Sequence, residues 1–413
     1  MMEVASSQTE GSVAADPAAR RLTWGVSGLY LALYLHYGFF AFIPLWLKKT
    51  GASPKEIGIL LAIPLVLRIL TVAPFSAWAG RKGHVRDAIM VTALLSAAVI
   101  LLLLGKPAHL GRIAVILIFS IVWDQIPVLT DAYAVVAVRS HKLDFGRMRV
   151  FGSIAVVAST ASAGWVFGLT GIDALPILVA ALLLLPAIVA PLLPTDRSMA
   201  KPEPGSTGKW RDVIADRTLM RAMVAGAFIM GSHGVLMSFS AIQWSARGIS
   251  TGMIGTLQAV SVSAEILAFW FGAKLLSKRD PTLLICIAAA AAVVRWLIMA
   301  TDPGLIVLFA VQLLHGITST GAILGLMLVI AARVPVQTSP AAQGLNAVLL
   351  GIALAASTAG SGLLWSYGIS AAYLAMAGLA AIGVVFAWPS RGRRSAQSTG
   401  NINEPLSTSG AEA

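Results

Sequence analysis

The sequence predicts an all-α membrane protein of about twelve transmembrane helices in two six-helix bundles. The first observation is composition, since 57% of the 413 residues are hydrophobic, 12% are charged and the mean hydropathy is +0.83, values far from those of a soluble domain. The second is that apolar runs of about 20 residues, the length that crosses a bilayer core, recur along nearly the whole chain. The third is a set of features that recur in the two halves at one separation.

The apolar runs place the helices in order along the chain. The first run is too long for a signal-peptide core and follows a polar segment without a small-residue cleavage site, so we expect it to remain as helix 1. Cys286 is the single cysteine and is predicted to pack inside a helix. The predicted helices 1 to 12 cover residues 22–47, 57–79, 88–104, 112–138, 149–169, 174–193, 220–244, 253–276, 282–300, 304–332, 341–365 and 369–389.

The basic residues follow alternate loops. Counted loop by loop, 22 Lys and Arg fall on the side that holds both termini and 6 fall on the opposite side. Because basic loops stay in the cytoplasm, we expect a multi-pass inner-membrane protein with both termini cytoplasmic. The net charge of +12 therefore reflects topology, and no nucleic-acid partner is predicted.

Sequence motifs give no support to an enzyme. No Walker A pattern occurs, which argues against an ATP-driven pump. The stretch GISTG at residues 248–252 matches the nucleophile-elbow pattern, but it lies in a short loop between membrane helices without a preceding strand. We therefore expect no enzymatic activity, no cofactor and no metal.

A polar segment divides the chain into two parts. Residues 194–219 are rich in Pro, Gly, Ser and charge, which predicts a cytoplasmic linker. The N-terminal six-helix bundle is predicted over 22–193 and the C-terminal bundle over 220–389. Residues 1–21 and 390–413 are predicted to be disordered cytoplasmic ends.

The two bundles share features at a nearly constant separation, as expected of a duplicated six-helix unit. His36 and His233, Gly58 and Gly255, and Arg68 and Glu265 are each 197 residues apart, and Trp46 and Trp244 are 198 apart. This architecture resembles the major facilitator superfamily, in which two six-helix bundles surround a central cavity that opens alternately to each side of the membrane.

Charged residues inside the predicted helices point to the function. An ionisable side chain at the bilayer centre costs about 2.5–3.5 kcal/mol, so each one needs a partner, a water-filled cavity or a substrate. Asp124 and Asp131 lie seven residues apart in helix 4, on one face that we expect to line the cavity, and Pro127 between them is expected to kink the helix. Arg149 enters helix 5 from the side at which helix 4 ends, so we expect it to meet Asp131.

The stretch DFGRMRVFGS at residues 144–153 resembles the start of helix 5 in the oligosaccharide:proton symporters, the lactose permease-like family. In that family a helix-4 carboxylate precedes the arginine by eighteen residues, as Asp131 precedes Arg149, and the pair binds substrate. Glu265 in SVSAEILAFW, Arg295 in VVRWLIM and His315 in VQLLHGITST resemble groups that the family uses for substrate binding and proton coupling.

Departures from that family change the expected substrate. Thr318 stands where the family has a glutamate that carries the proton, Gln312 where it has a lysine, and Val156 where it has the tryptophan that stacks on the sugar. Galactoside transport is therefore not expected. The stretches VLTDA, SFSAIQW, VSAE, VVRW and VQLLH more closely resemble the 3-phenylpropionate permease branch, which implies proton-coupled uptake of a small, aromatic or otherwise apolar, organic acid.

Each intramembrane group then has an expected role. Arginine binds a carboxylate through two parallel hydrogen bonds and keeps its charge, so arginines are the expected substrate ligands. Arg149 is the first candidate, with Arg295 and Arg68 behind it. Asp131 and Glu265 are the expected proton acceptors, with His315 as a relay or a substrate contact.

Structural alternatives remain open for all of these groups. An intramembrane charge pair can tie two helices together without touching a ligand, and a histidine on an apolar face is often a packing residue. Asp131 with Arg149 could form such a tie, Glu265, Arg295 and His315 could form an inter-helix lock, Arg68 could bridge the two halves, and His36 and His233 could contact substrate or only pack.

The sequence therefore predicts a symporter that works as a monomer, uses the proton gradient and binds a small molecule, protons and the lipid bilayer. Three alternatives to an organic-acid symporter remain. They are a proton symporter for a sugar or nucleoside, an efflux transporter for drugs or metabolites, and a membrane sensor that does not transport.

Overall fold

The computed structural model describes residues 17–141, 143–195, 210–276, 280–335 and 338–388. These residues form twelve helices that are long and apolar enough to cross a membrane, and no strand occurs among them. The predicted all-α membrane fold is confirmed. The membrane-spanning parts of helices 1 to 12 are Pro17–Lys49, Pro54–Gly80, Val85–Gly105, His109–Val138, Phe145–Thr170, Ile172–Leu192, Arg217–Ala246, Thr251–Gly272, Pro281–Ala300, Leu305–Arg333, Ala341–Tyr367 and Ile369–Ala387.

Two of the predicted boundaries fall inside helices. Helix 1 begins at Pro17, within the segment predicted to be disordered, because Ala19 and Leu22 are already buried. Helix 7 begins at Arg217, within the predicted linker, because the Asp216 carboxylate caps the helix. The rest of the predicted N-terminal segment, linker residues 196–209 and residues 389–413 lie outside the described residues.

Helices 1, 4 and 7 are interrupted, and helix 10 contains one wider turn. Helix 4 breaks into His109–Trp123 and Gln125–His141, because Pro127 has no N–H to donate to the carbonyl four residues earlier, at Trp123. The interruption falls at Asp124, three residues before the proline at which the sequence predicts a kink. In helix 10, Gly316–Thr320 forms a π-helical turn, a feature often found at functional sites.

The two halves meet mainly through helix 2 against helix 11 and helix 5 against helix 8. We call the membrane face at which helix 1 begins and helix 12 ends the terminal face, and the other the far face. Near the far face, glycines bring backbones into contact across the interface. A Cβ atom at Gly58 would lie 3.0 Å from the Ala359 carbonyl, and one at Gly255 would lie 2.9 Å from the Thr160 carbonyl. The space between the two halves is therefore closed at the far face.

Candidate substrate and proton site

The first cluster of polar residues joins helices 1, 4 and 5 and consists of Tyr30, Tyr34, Asp131 and Arg149. The Tyr30 hydroxyl donates a hydrogen bond to Oδ1 of Asp131 at 2.7 Å. Nε of Arg149 lies 3.7 Å from the same oxygen. The guanidinium carbon lies 5.2 Å from the ring centre of Tyr30 and 4.7 Å from that of Tyr34, within the range of cation–π attraction.

The local sequence of helix 5 builds this arrangement. Asp144 caps the helix by accepting a hydrogen bond from the backbone N–H of Arg147 at 3.1 Å, which sets where the helix starts. Gly152, one turn beyond Arg149, leaves room for the guanidinium. A Cβ atom at Gly152 would lie 2.8 Å from the Tyr34 ring and 3.0 Å from Nη1 of Arg149. The motif thus supplies a start for the helix, a cation and the space beside it.

Both charged groups of the first cluster are accessible to water. The side chain of Asp131 is 44% exposed and that of Arg149 is 36% exposed. Asp131 lies ten residues before the end of helix 4 at His141, about 15 Å by helical rise. Because the far face is closed, water reaches this pair from the terminal face. The sequence-predicted meeting of Asp131 and Arg149 is present in the structure.

The second cluster lies in the C-terminal half and consists of Glu265, Arg295, Gln312, His315 and Thr318. Arg295 is fully buried. Its Nη1 contacts Nδ1 of His315 at 2.8 Å and donates to the Thr318 hydroxyl at 3.2 Å, and its Nη2 donates to Oε1 of Gln312 at 3.0 Å. Three helix-10 side chains therefore hold one buried guanidinium.

The arginine also fixes the proton on His315. A guanidinium only donates, so Nδ1 of His315 accepts and the neutral ring carries its proton on Nε2. That nitrogen faces Oε2 of Glu265 at 3.7 Å, while Oε1 of Glu265 accepts a hydrogen bond from the Ser319 hydroxyl at 3.2 Å. The three predicted groups Glu265, His315 and Arg295 thus form one continuous chain.

The wider turn of helix 10 places this chain against helix 8. The π turn begins just after His315 and includes Thr318 and Ser319. Gly316 allows the close approach, because a Cβ atom there would overlap the backbone of Ala264, next to Glu265. The hydroxyl of Thr320 completes the contact by donating to the Glu265 carbonyl at 3.2 Å.

The two repeat-related histidines are buried and hydrogen-bonded. His36 has no exposed surface, and the indole N–H of Trp123 donates to its Nε2. His233 is 1% exposed; its Nδ1 is 2.9 Å from the Ile229 carbonyl and its Nε2 is 3.3 Å from the Thr318 hydroxyl. His233 also stacks edge-on against His315, with ring centres 5.3 Å apart. His233 therefore adjoins the second cluster, whereas His36 packs beside the first half's aromatic residues.

Arg68 lies outside both clusters. Its side chain on helix 2 is exposed and makes no hydrogen bond or ion pair with the described residues. Asp124 is buried at the break in helix 4, with 7% of its surface exposed. Asp124 is thus much less accessible than Asp131, whose side chain is 44% exposed, and a shared cavity-lining face for the two stays a prediction.

Sequence reasoning missed the two tyrosines of the first cluster. Tyr30 and Tyr34 lie four residues apart in LYLALYLHY, so they share one face of helix 1. That spacing is the signal that could have identified them, since an isolated tyrosine in a membrane helix commonly marks only the interface. Among the described residues, no group of three or more His, Cys, Asp or Glu side chains is placed to hold a metal ion.

Comparison with known proteins identifies the family. The model of the MFS_1 like family matches residues 23–375, most of the chain. The chain is 30% identical over 343 residues to a protein of Escherichia coli (strain K12) named as a probable 3-phenylpropionic acid transporter. The match covers 82% of this chain and 90% of that protein.

Solved transporter structures share the fold. A mutant of the nucleoside transporter NupG superposes with a TM-score of 0.76 at 14% identity, covering 89% of this chain and 98% of the other. An inward-facing, unoccupied bacterial homolog of the human lysosomal transporter Spinster gives 0.72 at 13% identity, covering 91% and 97%. These similarities extend over both six-helix halves. The chain therefore belongs to the MFS_1 like family of the major facilitator superfamily and is a multi-pass membrane transporter.

Proposed function

We propose that this transporter imports a small organic acid with an aromatic or other apolar group, together with protons, by alternating access. The observation that carries the proposal is the partly exposed Arg149, held between two tyrosine rings and beside Asp131 in the middle of the membrane. A guanidinium is the side chain best suited to bind a carboxylate. The name of the Escherichia coli relative supports an aromatic acid as the substrate class.

Asp131 and the substrate compete for the same guanidinium. When Asp131 is ionised, it neutralises Arg149; when it takes up a proton, Arg149 is left to bind the substrate carboxylate. The tyrosine hydroxyl that donates to Asp131 holds the carboxyl group in place in both states. Proton uptake and substrate binding are thereby coupled through one shared cation.

The second cluster provides a further proton site. Because Nδ1 of His315 faces Arg295, a proton from the cavity goes to Glu265, whose Oε2 oxygen accepts no hydrogen bond from the described residues. Arg295 then keeps His315 in one tautomer, and the ring of His233 packs edge-on against it. In this proposal, Arg68 and His36 do not contact the substrate while the far face is closed.

The orientation in the membrane is part of the proposal. The loop-by-loop assignment from the sequence gives 22 Lys and Arg to the side of the termini and 6 to the opposite side, which supports a cytoplasmic terminal face in an inner membrane. The protein then has its cavity open to the cytoplasm here. We further propose that it works as a monomer, with the proton gradient as its energy source and no cofactor.

The test is external alkalinisation of lightly buffered cells that carry the protein, after addition of aromatic acids, sugars or nucleosides. We expect 3-phenylpropionate or a similar aromatic acid to raise the external pH relative to cells without the protein. Asp131→Asn should abolish the signal. Asp173→Asn, which removes a far-face ion pair with Lys49 at 2.7 Å, should retain it.

Each other outcome identifies what is wrong. A signal from a sugar or nucleoside alone would overturn the substrate class and leave proton symport standing. Alkalinisation that survives in Asp131→Asn would remove Asp131 from coupling. Silence with every compound, together with ligand binding to the purified protein, would favour the sensor.

A further inference from the structure

A cavity in the C-terminal half lies where the repeat places the counterpart of the first cluster. It has a volume of about 300 Å³, at the lower end of the range for small-molecule sites, and is enclosed by helices 7, 10 and 11. The first cluster is enclosed by helices 1, 4 and 5, their equivalents in the other half. We call this cavity the apolar pocket and define it by Gly226, Met230, Leu326, Met327, Asn346 and Leu350.

Packing contacts establish the register between the two halves. Gly38 on helix 1 lies against the backbone of Ser159 and Thr160 on helix 5, and Gly234 on helix 7 lies against Ser357 and Thr358 on helix 11. These equivalent residues are 196 to 198 positions apart. The contact between helices 1 and 5 is therefore repeated between helices 7 and 11, to within one residue of a separation of 197.

The same separation relates the lining of the pocket to the first cluster. Gly226 and Met230 follow Tyr30 and Tyr34 by 196 residues. Asn346 follows Arg149 by 197 residues, one fewer than the 198 that separate Ser159 from Ser357, so it lies next to the counterpart of Arg149 on helix 11. Where helix 1 has two aromatic rings, helix 7 has a hydrogen atom and a flexible thioether. The loss of the ring volume explains why a cavity exists there.

The chemistry of the pocket complements that of the first cluster. No charged side chain is among the residues that line it, and the lining is mostly aliphatic. Met230 and Met327 can adapt to ligands of different shape because the methionine side chain is unbranched and polarisable. The one inner polar group is Asn346, whose buried Oδ1 accepts no hydrogen bond from the described residues.

The symmetry of the fold places the two sites opposite each other. The halves of this superfamily are related by an axis along the membrane normal, so equivalent sites lie at the same depth on opposite sides of that axis. An amphipathic molecule between the halves therefore meets a cation on one side and an apolar cavity on the other.

We propose that the apolar pocket binds the ring or alkyl tail of the organic acid whose carboxylate contacts Arg149, an inference that rests on the proposed function. The substrate class is thereby narrowed to acids with an apolar tail long enough to reach from one half to the other. Short acids such as propionate occupy only the first cluster, and the pocket discriminates against them by leaving its apolar surface unfilled.

The test uses substitutions that fill the pocket and compares the binding of two acids. Gly226→Leu adds a side chain beside the movable end of Leu326, which a Cβ atom there would meet at 3.2 Å. Met327→Trp adds volume at a lining residue that is 56% exposed and so tolerates a larger side chain. Gly378→Leu on helix 12 is the control, since a Cβ atom there meets nothing within 4 Å.

Dissociation constants for 3-phenylpropionate and propionate are measured on the purified protein in lipid nanodiscs. Both pocket variants should weaken 3-phenylpropionate binding by about tenfold or more, the effect of losing one buried apolar group, and change propionate binding by less than about twofold. The control should bind both acids as the parent does. Equal weakening of both acids, or unchanged 3-phenylpropionate binding in both pocket variants, would overturn the proposal.

A labelling experiment gives a second readout. In a Cys286→Ser background, Met327→Cys should be protected from a maleimide by 3-phenylpropionate and not by propionate. Protection by added phospholipid alone would assign the pocket to a lipid chain and overturn the proposal. If the parent binds neither acid, the proposed function itself fails. If the parent binds both acids and filling the pocket changes neither affinity, only the pocket proposal fails.

Discussion

Arg149 and Arg295 are both intramembrane arginines, but water reaches only one of them. Arg149 lies beside a partly exposed carboxylate, whereas Arg295 is fully buried and both of its Nη groups are hydrogen-bonded to helix-10 side chains. An unpaired buried charge is costly, so the substitution of any one helix-10 partner would disturb Arg295. The two arginines therefore share a residue type but differ in the exposure of the guanidinium, and the proposed function assigns the substrate to the exposed one.

Arg149→Lys tests the carboxylate ligand. Lysine keeps the charge but lacks the planar fork, so one of two charge-assisted hydrogen bonds to the carboxylate is lost. The expected loss of binding free energy is about 1.5–3 kcal/mol, which weakens the affinity by roughly 10- to 100-fold. Affinity for the aromatic acid is measured on the purified protein. Arg247→Lys, at a far-face pair with Asp302 at 3.0 Å, is the matched control. Unchanged affinity in Arg149→Lys would remove this arginine from the site.

Glu265→Gln tests the second proton site. Glutamine retains an oxygen that can accept the hydrogen bond from Ser319, so the geometry is preserved while the proton acceptor is lost. We expect counterflow exchange in proteoliposomes to persist and proton-driven accumulation to fail. If counterflow and accumulation decline together, Glu265 serves binding or packing. That result would favour the alternative in which Glu265, Arg295 and His315 form an inter-helix lock.

At the scale of the helix, interruptions and glycines explain where the polar groups lie. The break at Asp124 and the π turn at Gly316–Thr320 both occur in helices that carry the clusters. Proline at residue 127 made the first of these predictable, because its missing N–H acts locally. The π turn was not predictable, because it depends on how helix 10 packs against helix 8, which is distant in sequence.

Gly255→Leu tests the glycine contact at the far face. A side chain at Gly255 would meet the backbone of helix 5 at Thr160, so helices 5 and 8 cannot close and the far face should open. Spin labels on Lys48→Cys and Ser250→Cys, in a Cys286→Ser background, measure the separation of the two halves. We expect a longer distance than in the parent, and no change in Gly378→Leu. A parent-like distance would show that closure does not depend on this contact.

Asp216 forms a pH-dependent interaction within the C-terminal half, at the terminal face. Burial alone would raise its pKa, but hydrogen bonds from the Arg333 guanidinium and from the backbone N–H groups of Leu219 and Thr218 outweigh burial, so its pKa is lowered. A lowered folded-state pKa contributes stability that is fully present above the unfolded value of about 3.9 and is lost as the pH falls through the folded value.

Asp216→Asn isolates the charge, because asparagine also caps helices well. We expect a lower melting temperature than the parent at pH 7 in detergent, and a difference that shrinks as the pH falls below about 3.9. Asp173→Asn, at an exposed ion pair, should show a smaller effect at pH 7. A difference between Asp216→Asn and the parent that does not depend on pH would show that the cap, and not the ion pair with Arg333, is responsible.

For the whole molecule, the two halves repeat a helix–helix contact but differ in their polar groups. Contacts between helices 1 and 5 recur between helices 7 and 11. The N-terminal half keeps a partly exposed ion pair, and the C-terminal half has a buried arginine network and an apolar pocket. Such asymmetry suits a substrate with one charged and one apolar end.

The orientation of the whole chain is tested with fusions at the C-terminus. If the basic face is cytoplasmic, a C-terminal fluorescent protein should be bright and a C-terminal alkaline phosphatase inactive. A phosphatase fused after Lys106, in the far-face loop between helices 3 and 4, should be active. The reverse pattern would invert the topology and, with it, the direction of transport.

The sequence by itself determined the number of helices, their order and the residues that carry charge inside the membrane, because hydropathy and residue type act locally along the chain. It also placed Asp131 near Arg149 through their spacing and the antiparallel order of helices 4 and 5. Only the tertiary structure decided that Arg295 is buried, that Nδ1 of His315 faces it and that a pocket lies between helices 7, 10 and 11. Those features arise from packing between helices far apart in sequence, and no local pattern encodes them.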